Sequence, residues 1–473
     1  MGRVCNEFTG NCVLPQSYLR FLRAKFGNDE AEIEYYMRKA VPTAEPISKT
    51  VLFRPASVAD IPAVSRLRTE GVRELTEQDP RLQYACPEFN SQIDLVGVMS
   101  NKQSASDTII AFGDTRTEPV RNLVFKISFA RLPNNKDDSL EVEALIYMSI
   151  TNLLVLNGVT PHIVLSYGMF MCRDQVPQSL LGNANYFTEI DESVKNGAEN
   201  EYDLANMRLL ALEKSGPTLS SLLRFSNVTY HDIVVLIVQM AYTLACFEEI
   251  GLIHNDLHSG NVFVQQLDSP ETNFYRLDDD TVLKVTSGMQ VRLYDFDRSF
   301  KVPTEYEPQR IENGLLRNSS LCRVLGQCNR FTPRLDFFRF LYYVYEFGRR
   351  EQMRAVTELV DTLCINGFNY GAAGFLSSQH GRAHLPFDAN SYYTWAGVAC
   401  KCANSRCLEC YMENPVPVMS PIEVLYALKY SFPANEEDDI SLQNTWMLPS
   451  LAHRAGRYGV NHEESEETHS HEQ

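Results

Sequence analysis

The apolar run from Ile233 to Phe247 limits what this chain can fold into more than any other stretch. Val234, Leu236, Ile237, Met240 and Phe247 fall at helical spacing, and Gln239, Tyr242 and Thr243 interrupt the run. It is shorter than a membrane span needs, so it is expected to form a helix at the centre of a core. Thr229, with Asp232 three residues on, makes a near capping box of T-x-x-D form at its start. The helix leads into His254-Asn255-Asp256-Leu257-His258-Ser259-Gly260-Asn261, and Val262-Phe263-Val264 then has strand character. Helix, polar loop and strand in series would hold Asp256 and Asn261 at a fixed spacing.

A core helix needs partners, and the chain is long enough to supply them. Its 473 residues are 44% hydrophobic, ample for two lobes plus extensions. Asp plus Glu (60) outnumber Lys plus Arg (43), and the net charge of −17 argues against general nucleic-acid binding. Met1-Gly2-Arg3-Val4-Cys5 lacks the apolar stretch of a secretory signal, and Asn6 does not fit myristoylation at Gly2. The twelve cysteines are therefore expected as reduced thiols in a soluble intracellular protein with no membrane contact.

Residues 1–90 read as an N-terminal helical extension, with a helix after Ser17, another over Glu30 to Arg38, breaks at Pro42 and Pro46, and a further helix over 56–78. From Ile93 the pattern changes to strands: Asp94–Met99, Thr108–Phe112, a turn beginning at Gly113-Asp114, then Asn122–Phe129. Thr160–Val164 is expected to enter two further strands, the second running over Arg208–Lys214 after an inserted loop at 175–203. Residues 265–290 read as a lengthened hairpin whose Asp278-Asp279-Asp280 is a solvated turn.

Certain polar residues stand out against these apolar elements. Lys126 lies in an apolar strand, where an unpaired ammonium is costly to bury. The helix from Ser139 offers two carboxylates, Glu143 (one turn before Tyr147, and favoured) and Glu141. The strand residues Val291 and Leu293 lead into Asp295-Phe296-Asp297. Phosphoryl transfer needs such a set: a carboxylate to orient the attacking hydroxyl, a carboxylate and an amide oxygen for Mg²⁺, and a Lys on the phosphates.

The stretch His254, Asp256, Leu257, Asn261 resembles the protein-kinase catalytic loop H-R-D-L-x-x-x-N, departing at Asn255 (usually Arg) and His258 (usually Lys). Val124-Phe125-Lys126-Ile127 resembles the V-A-I-K strand, and Asp295-Phe296-Asp297 the D-F-G motif with Gly replaced. H-N-D-L-H with D-F-D resembles the divergent Ser/Thr kinases of large DNA viruses, over roughly residues 90–440. The resemblance implies an α+β bilobal protein-kinase-like fold with an antiparallel N-lobe over 91–213 and a mainly helical C-lobe over 214–450, while the Glu-, Ser- and His-rich composition toward the end reads as a disordered acidic tail over 451–473. It implies ATP between the lobes, contacted by Gly97, Val98, Lys126 and the hinge at Glu213 and Ser215. Glu143 would hold Lys126, Asn261 and Asp295 would hold Mg²⁺, and Asp256 would take the proton of a protein hydroxyl. His258 would lie near the γ-phosphate, and Asp336 would support the loop backbone. A virus source would put the protein in host cytoplasm or virion, with virion or scaffold partners reached through the N-terminal extension.

Three features depart from the family pattern. The phosphate-covering loop has Gly97, but Met99 and Lys102 stand where further glycines belong. Asn255 removes the Arg that reads activation-loop phosphorylation, and no A-P-E motif follows. A small-molecule phosphotransferase of the aminoglycoside or choline kinase type shares H-x-D-L-H-x-x-N, and a pseudokinase scaffold would tolerate the altered glycine loop. Separately, Cys400, Cys402, Cys407 and Cys410 either close a tetrahedral Zn²⁺ site or are reduced thiols in a loop. The tail histidines His462, His469 and His471 sit in an acidic solvated segment.

Overall fold

The computed structural model describes residues 4–5, 12–13, 83–85, 93–99, 109–116, 122–131, 139–173, 202–225, 228–308, 310–313, 334–363, 418–435, 438 and 445–456. Over these the fold is α+β with mainly antiparallel sheets, an arrangement compatible with two lobes. The elements are β1 (Val4–Cys5), β2 (Cys12–Val13), β3 (Gln83–Ala85), β4 (Ile93–Met99), β5 (Ile109–Thr115), β6 (Asn122–Arg131), α1 (Ser139–Ile146), α2 (Asn152–Leu156), β7 (Ser166–Arg173) and β8 (Tyr202–Glu213). They continue with α3 (Leu219–Phe225), α4 (Tyr230–Ile250), β9 (Leu252–Ile253), β10 (Val262–Arg276), β11 (Val282–Leu293), β12 (Phe300–Lys301), α5 (Leu335–Arg350), α6 (Arg354–Leu363), α7 (Pro421–Leu428), β13 (Thr445–Met447) and α8 (Pro449–Arg454).

The first unit is a six-stranded sheet of order β3-β7-β8-β6-β5-β4, antiparallel except for the β3–β7 pair. Lys126 lies on β6, between Ile110 of β5 and Leu210 of β8, and its neighbours Phe125 and Ile127 are buried. The turn expected at Gly113-Asp114 is not there. Both residues pair within β5, Gly113 with Leu95 and Leu123, Asp114 with Asp94 and Asn122, because the ladder on both sides carries the strand on to Thr115. Thr160–Val164 is not strand but a connection tied to β11, where Val164 N–H donates to Leu293 O at 3.0 Å and Leu293 N–H to His162 O at 2.9 Å. Tyr202 and Asp203, expected in a loop, open β8.

Helix α4 is the centre of the second unit. Its 21 residues are long and apolar enough to cross a membrane by length and composition, which corrects the expectation that the run is too short. Burial marks it as a core helix: 89% of its most apolar window is inside the protein. The capping box at Thr229 and Asp232 is closed in both directions, and Gly251 ends the helix at φ 74°. A Cβ there would also lie 2.3 Å from Val302 O. Gln239 survives inside this helix because its amide completes a strand edge. Its Nε2 donates to Met289 O at 2.9 Å, and Val291 N–H donates to its Oε1 at 2.8 Å.

The hairpin β10–β11 is long, as expected, with Asp278 folding the turn through bonds from Asp280 N–H (2.8 Å) and Thr281 N–H (2.6 Å). A third strand, β13, joins β10 in parallel, with Trp446 fully buried and its indole N–H on Asn273 Oδ1 at 2.8 Å. The boundary at 451 falls inside α8, so the chain is still folded there. Near the N-terminus β1 and β2 form a two-stranded ribbon, and β3 joins the main sheet by pairing with Met169–Met171. The expected helices within 17–78, the loop at 101–105, Cys400, Cys402, Cys407 and Cys410, and the tail histidines all lie outside the described residues. Cys172 is disulfide-bonded, which corrects the expectation of reduced thiols throughout, while Cys246 is a buried free thiol.

Candidate active site

Lys126 is the centre of a buried charge cluster drawn from three distant parts of the chain. Its Nζ lies 2.7 Å from both Glu143 carboxylate oxygens and 2.5 Å from Asp295 Oδ1. Of the two candidate carboxylates, Glu143 is the one on Lys126, and Glu141 pairs instead with Arg208 on β8. Glu143 faces inward because Val142, Ala144 and Ile146 around it are buried too, so α1 is sunk into the protein and not laid on its surface. Glu143 also accepts Phe296 N–H at 3.3 Å, joining α1 to the segment after β11.

Directly after Ile146 the helix widens into a π-turn over Tyr147–Thr151. Such turns often occur at functional sites. Here it places the Tyr147 ring edge-on to Phe296, with centroids 5.2 Å apart, and Phe296 in turn lies 4.8 Å from the His254 ring. Tyr147, Phe296 and His254 thus form a continuous aromatic column between α1 and the polar loop.

The loop itself is held from several sides. His254 Nε2 meets Tyr294 O at 2.9 Å, and Ser299 Oγ donates to His254 O at 2.9 Å. Asp336 accepts the His254 N–H at 2.8 Å and the Asn255 N–H at 3.0 Å. Asn261 Nδ2 donates to Asp256 O at 3.0 Å, which leaves Oδ1 as the amide's ligand atom. His258 Nδ1 accepts Gly260 N–H at 3.0 Å, so that nitrogen carries no proton. Desolvation lowers the His258 pKa, which also favours the neutral ring.

Electrostatics in this cluster follow from too many carboxylates for one cation. Burial acts to lower the Lys126 pKa, but Asp295 and Glu143 outweigh it and hold the ammonium well above its usual range. Burial acts upward on Asp295, and Lys126 overrides it to keep that carboxylate ionised. Glu143 is pushed up to about 7 by burial, against the pull of Lys126. Asp256 is pushed up to about 6, first by burial and then by the charge of Asp295. Asp297 is raised well above the carboxylate range for the same two reasons. An excess of buried negative charge, with Asp295 and the Asn261 amide oxygen as hard oxygen donors, suits a divalent cation such as Mg²⁺.

Glu213 and Ser215 lie where β8 passes into the second unit. Glu213 N–H donates to Leu165 O at 2.8 Å, and Glu213 Oε2 accepts Leu165 N–H at 3.2 Å. Gly97 sits at a register shift in β4, where it faces Phe112, and Val98 pairs with Ala111. The structure thus gathers Lys126, Glu143, Asp295, Asp256, Asn261 and Asp336 around one loop. Tyr147 as a stacking partner, Asn313 and Arg339 are further parts of this site that the sequence does not mark. Asn313 is fully buried and its amide donates to Asp297 O and Ser299 O, both at 2.9 Å. A lone Asn in a polar stretch carries no sequence signal for such a role. Among the described residues no group of three or more His, Cys, Asp and Glu side chains forms a separate metal cluster.

No protein-family model matches this chain. Over 200 residues it is 22% identical to a protein of Acanthamoeba polyphaga mimivirus named as a putative serine/threonine-protein kinase. The match covers 37% of this chain and 42% of the relative, so the chain spans less than half of that protein's length. The similarity to a protein of that name is distant and partial.

Proposed function

We propose that this chain is a phosphotransferase of bilobal protein-kinase-like fold that moves the γ-phosphoryl group of ATP to Ser/Thr hydroxyls of proteins. The observation that carries the reading is the Lys126 ammonium gripped at once by Glu143 (2.7 Å) and Asp295 (2.5 Å). Residues 17 and 169 positions away converge on one buried lysine, a costly arrangement that a solvated strand lysine would not need. The distant likeness to the mimivirus protein supports the same class of reaction.

In this reading Lys126 contacts the α- and β-phosphates and Glu143 fixes its position. Asp295 and the Asn261 amide oxygen would hold Mg²⁺, which when bound neutralises charge on the phosphates. Asp256 orients the acceptor hydroxyl and takes its proton as the oxygen attacks phosphorus and the bond to ADP breaks. The backbone at Glu213 and Ser215 meets the adenine edge, with Gly97 and Val98 above the phosphates. His258, neutral at pH 7, donates a hydrogen bond and supplies no charge. Catalysis is then positioning plus electrostatics.

Labelled ATP with Mg²⁺, offered separately to lysine-rich basic proteins and to a panel of amino-alcohols, tests the reading. Label on protein Ser/Thr is the expected result, and Asp256→Ala is expected to lower the rate about 10²–10⁴-fold with nucleotide affinity retained. Label only on the amino-alcohols would move the chain to the small-molecule class. ATP binding with no transfer to either would make it a pseudokinase.

A further inference from the structure

Helix α5 sends two buried charged side chains, one turn apart, to the underside of the same loop: Asp336 and Arg339. Asp336 takes the N–H groups of His254 and Asn255, as described. Arg339 Nη1 donates to the carbonyl oxygen of Asn255. The Asn255 side chain is used as well, with Nδ2 donating to Arg298 O at 3.1 Å. Residue 255 is therefore tied at its N–H, its carbonyl and its amide, in a backbone conformation (φ 66°) that few side chains other than Gly and Asn accept.

The Asn255 carbonyl and the Asp256 N–H belong to one planar peptide unit. Arg339 holds that plane by its oxygen, and His254 Nδ1 accepts its N–H at 3.4 Å on the opposite edge. The plane is the hinge on which the Asp256 side chain turns. Releasing the oxygen lets the unit rotate and re-aims the carboxylate without touching it. A buried guanidinium is not needed for packing, since apolar side chains of similar volume often replace buried charges without loss of stability. Its use lies in the five-donor fork that pins a carbonyl.

We infer that Arg339 is a positioning residue for Asp256, supplying from the following helix the cation that the loop itself lacks at Asn255. The inference rests on the proposed phosphoryl transfer and names a further part of that site.

Steady-state kinetics of the full chain decide it, with MgATP varied and a lysine-rich histone as acceptor, for the wild type, Arg339→Lys and Arg339→Met. Arg339→Met is expected to lose about 30–100-fold in kcat while KM for ATP stays within about twofold. Arg339→Lys keeps one donor and the charge, and is expected to lose only about 3–10-fold. If both variants keep kcat within about twofold of the wild type, the inference is overturned while the proposed function stands. If kcat, ATP affinity and melting temperature fall together, Arg339 merely supports the fold and the inference is again overturned. Should Arg339→Met fail to fold, Arg339→Lys decides alone: a loss in kcat at unchanged KM supports the assignment, and unchanged kcat refutes it. A wild type inactive on every acceptor would overturn the proposed function, and this inference with it.

Discussion

Glu248 shows how one half-buried carboxylate writes itself into the stability of the molecule. It sits on α4 and accepts the Arg334 N–H at 2.8 Å, tying the core helix to the start of α5. Burial raises its pKa from 4.5 to about 7, although the Arg334 bond and charge act downward. A carboxyl that binds its proton more tightly when folded favours the fold at low pH. The contribution is present below the unfolded pKa and is lost as pH rises through about 7. We expect a higher melting temperature near about pH 5.5 than near about pH 8, and a smaller difference between the two in Glu248→Gln. A calorimetric scan at both values checks it, and an unchanged difference in the variant would assign the slope to other groups.

Residue-scale legibility divided by how much of a role lies in the sequence neighbourhood. Lys126 stands out because an ammonium inside an apolar strand demands a partner, and Glu143 because it precedes Tyr147 by one helical turn. Arg339 carries no such signal, because an Arg among the aromatics of α5 looks like a helix-surface charge. Only the fold reveals that it points at a carbonyl 84 residues earlier. In sequence Asn255 is a lost Arg, whereas the structure shows a gain: its amide and its tolerance of positive φ let the loop bend where it does.

Elements were legible where periodicity was long and were misread where pairing overrode local signals. Helix α4 and the hairpin β10–β11 were readable from apolar spacing. The Gly113-Asp114 pair looked like a turn, but neighbours on both sides drew it into β5. Strand β13 has only three residues, too few for any period, and it depends wholly on the edge it meets. Two predictions belong here. At Gly216 a Cβ would lie 2.1 Å from Val264 O, where the connection before α3 crosses β10. Gly216→Ala therefore cannot be absorbed by a side-chain shift, and should cost about 1–3 kcal/mol in urea unfolding. Trp446→Ala removes the largest fully buried side chain among the described residues and its bond to Asn273, with an expected loss of about 3–5 kcal/mol. A midpoint within error of the wild type would show β13 to be detachable.

For the whole molecule, the hairpin links the site to the far end of the described chain. One arm begins next to Asn261 and the other ends two residues before Asp295, while β13 and α8 clasp its outer part. Tyr426 on Asp278 and Ser450 on Glu249 add polar ties from the same C-terminal region. Truncation after residue 444 should bare the β10 edge and the buried Phe274 and Tyr275. We expect a lower melting temperature and concentration-dependent association of the truncated chain, measured by light scattering. A monomer of wild-type stability would contradict that picture.

The clasp also sets an order of events during synthesis. Both arms of the hairpin leave the ribosome well before Thr445–Met447, and among the described residues no nearer segment pairs with that edge of β10 over Phe274–Arg276. A nascent chain therefore carries an open sheet edge beside the half-built charge cluster around Lys126 until the closing strand emerges. During that interval the edge is exposed to other chains, a window in which holdase chaperones have something to bind.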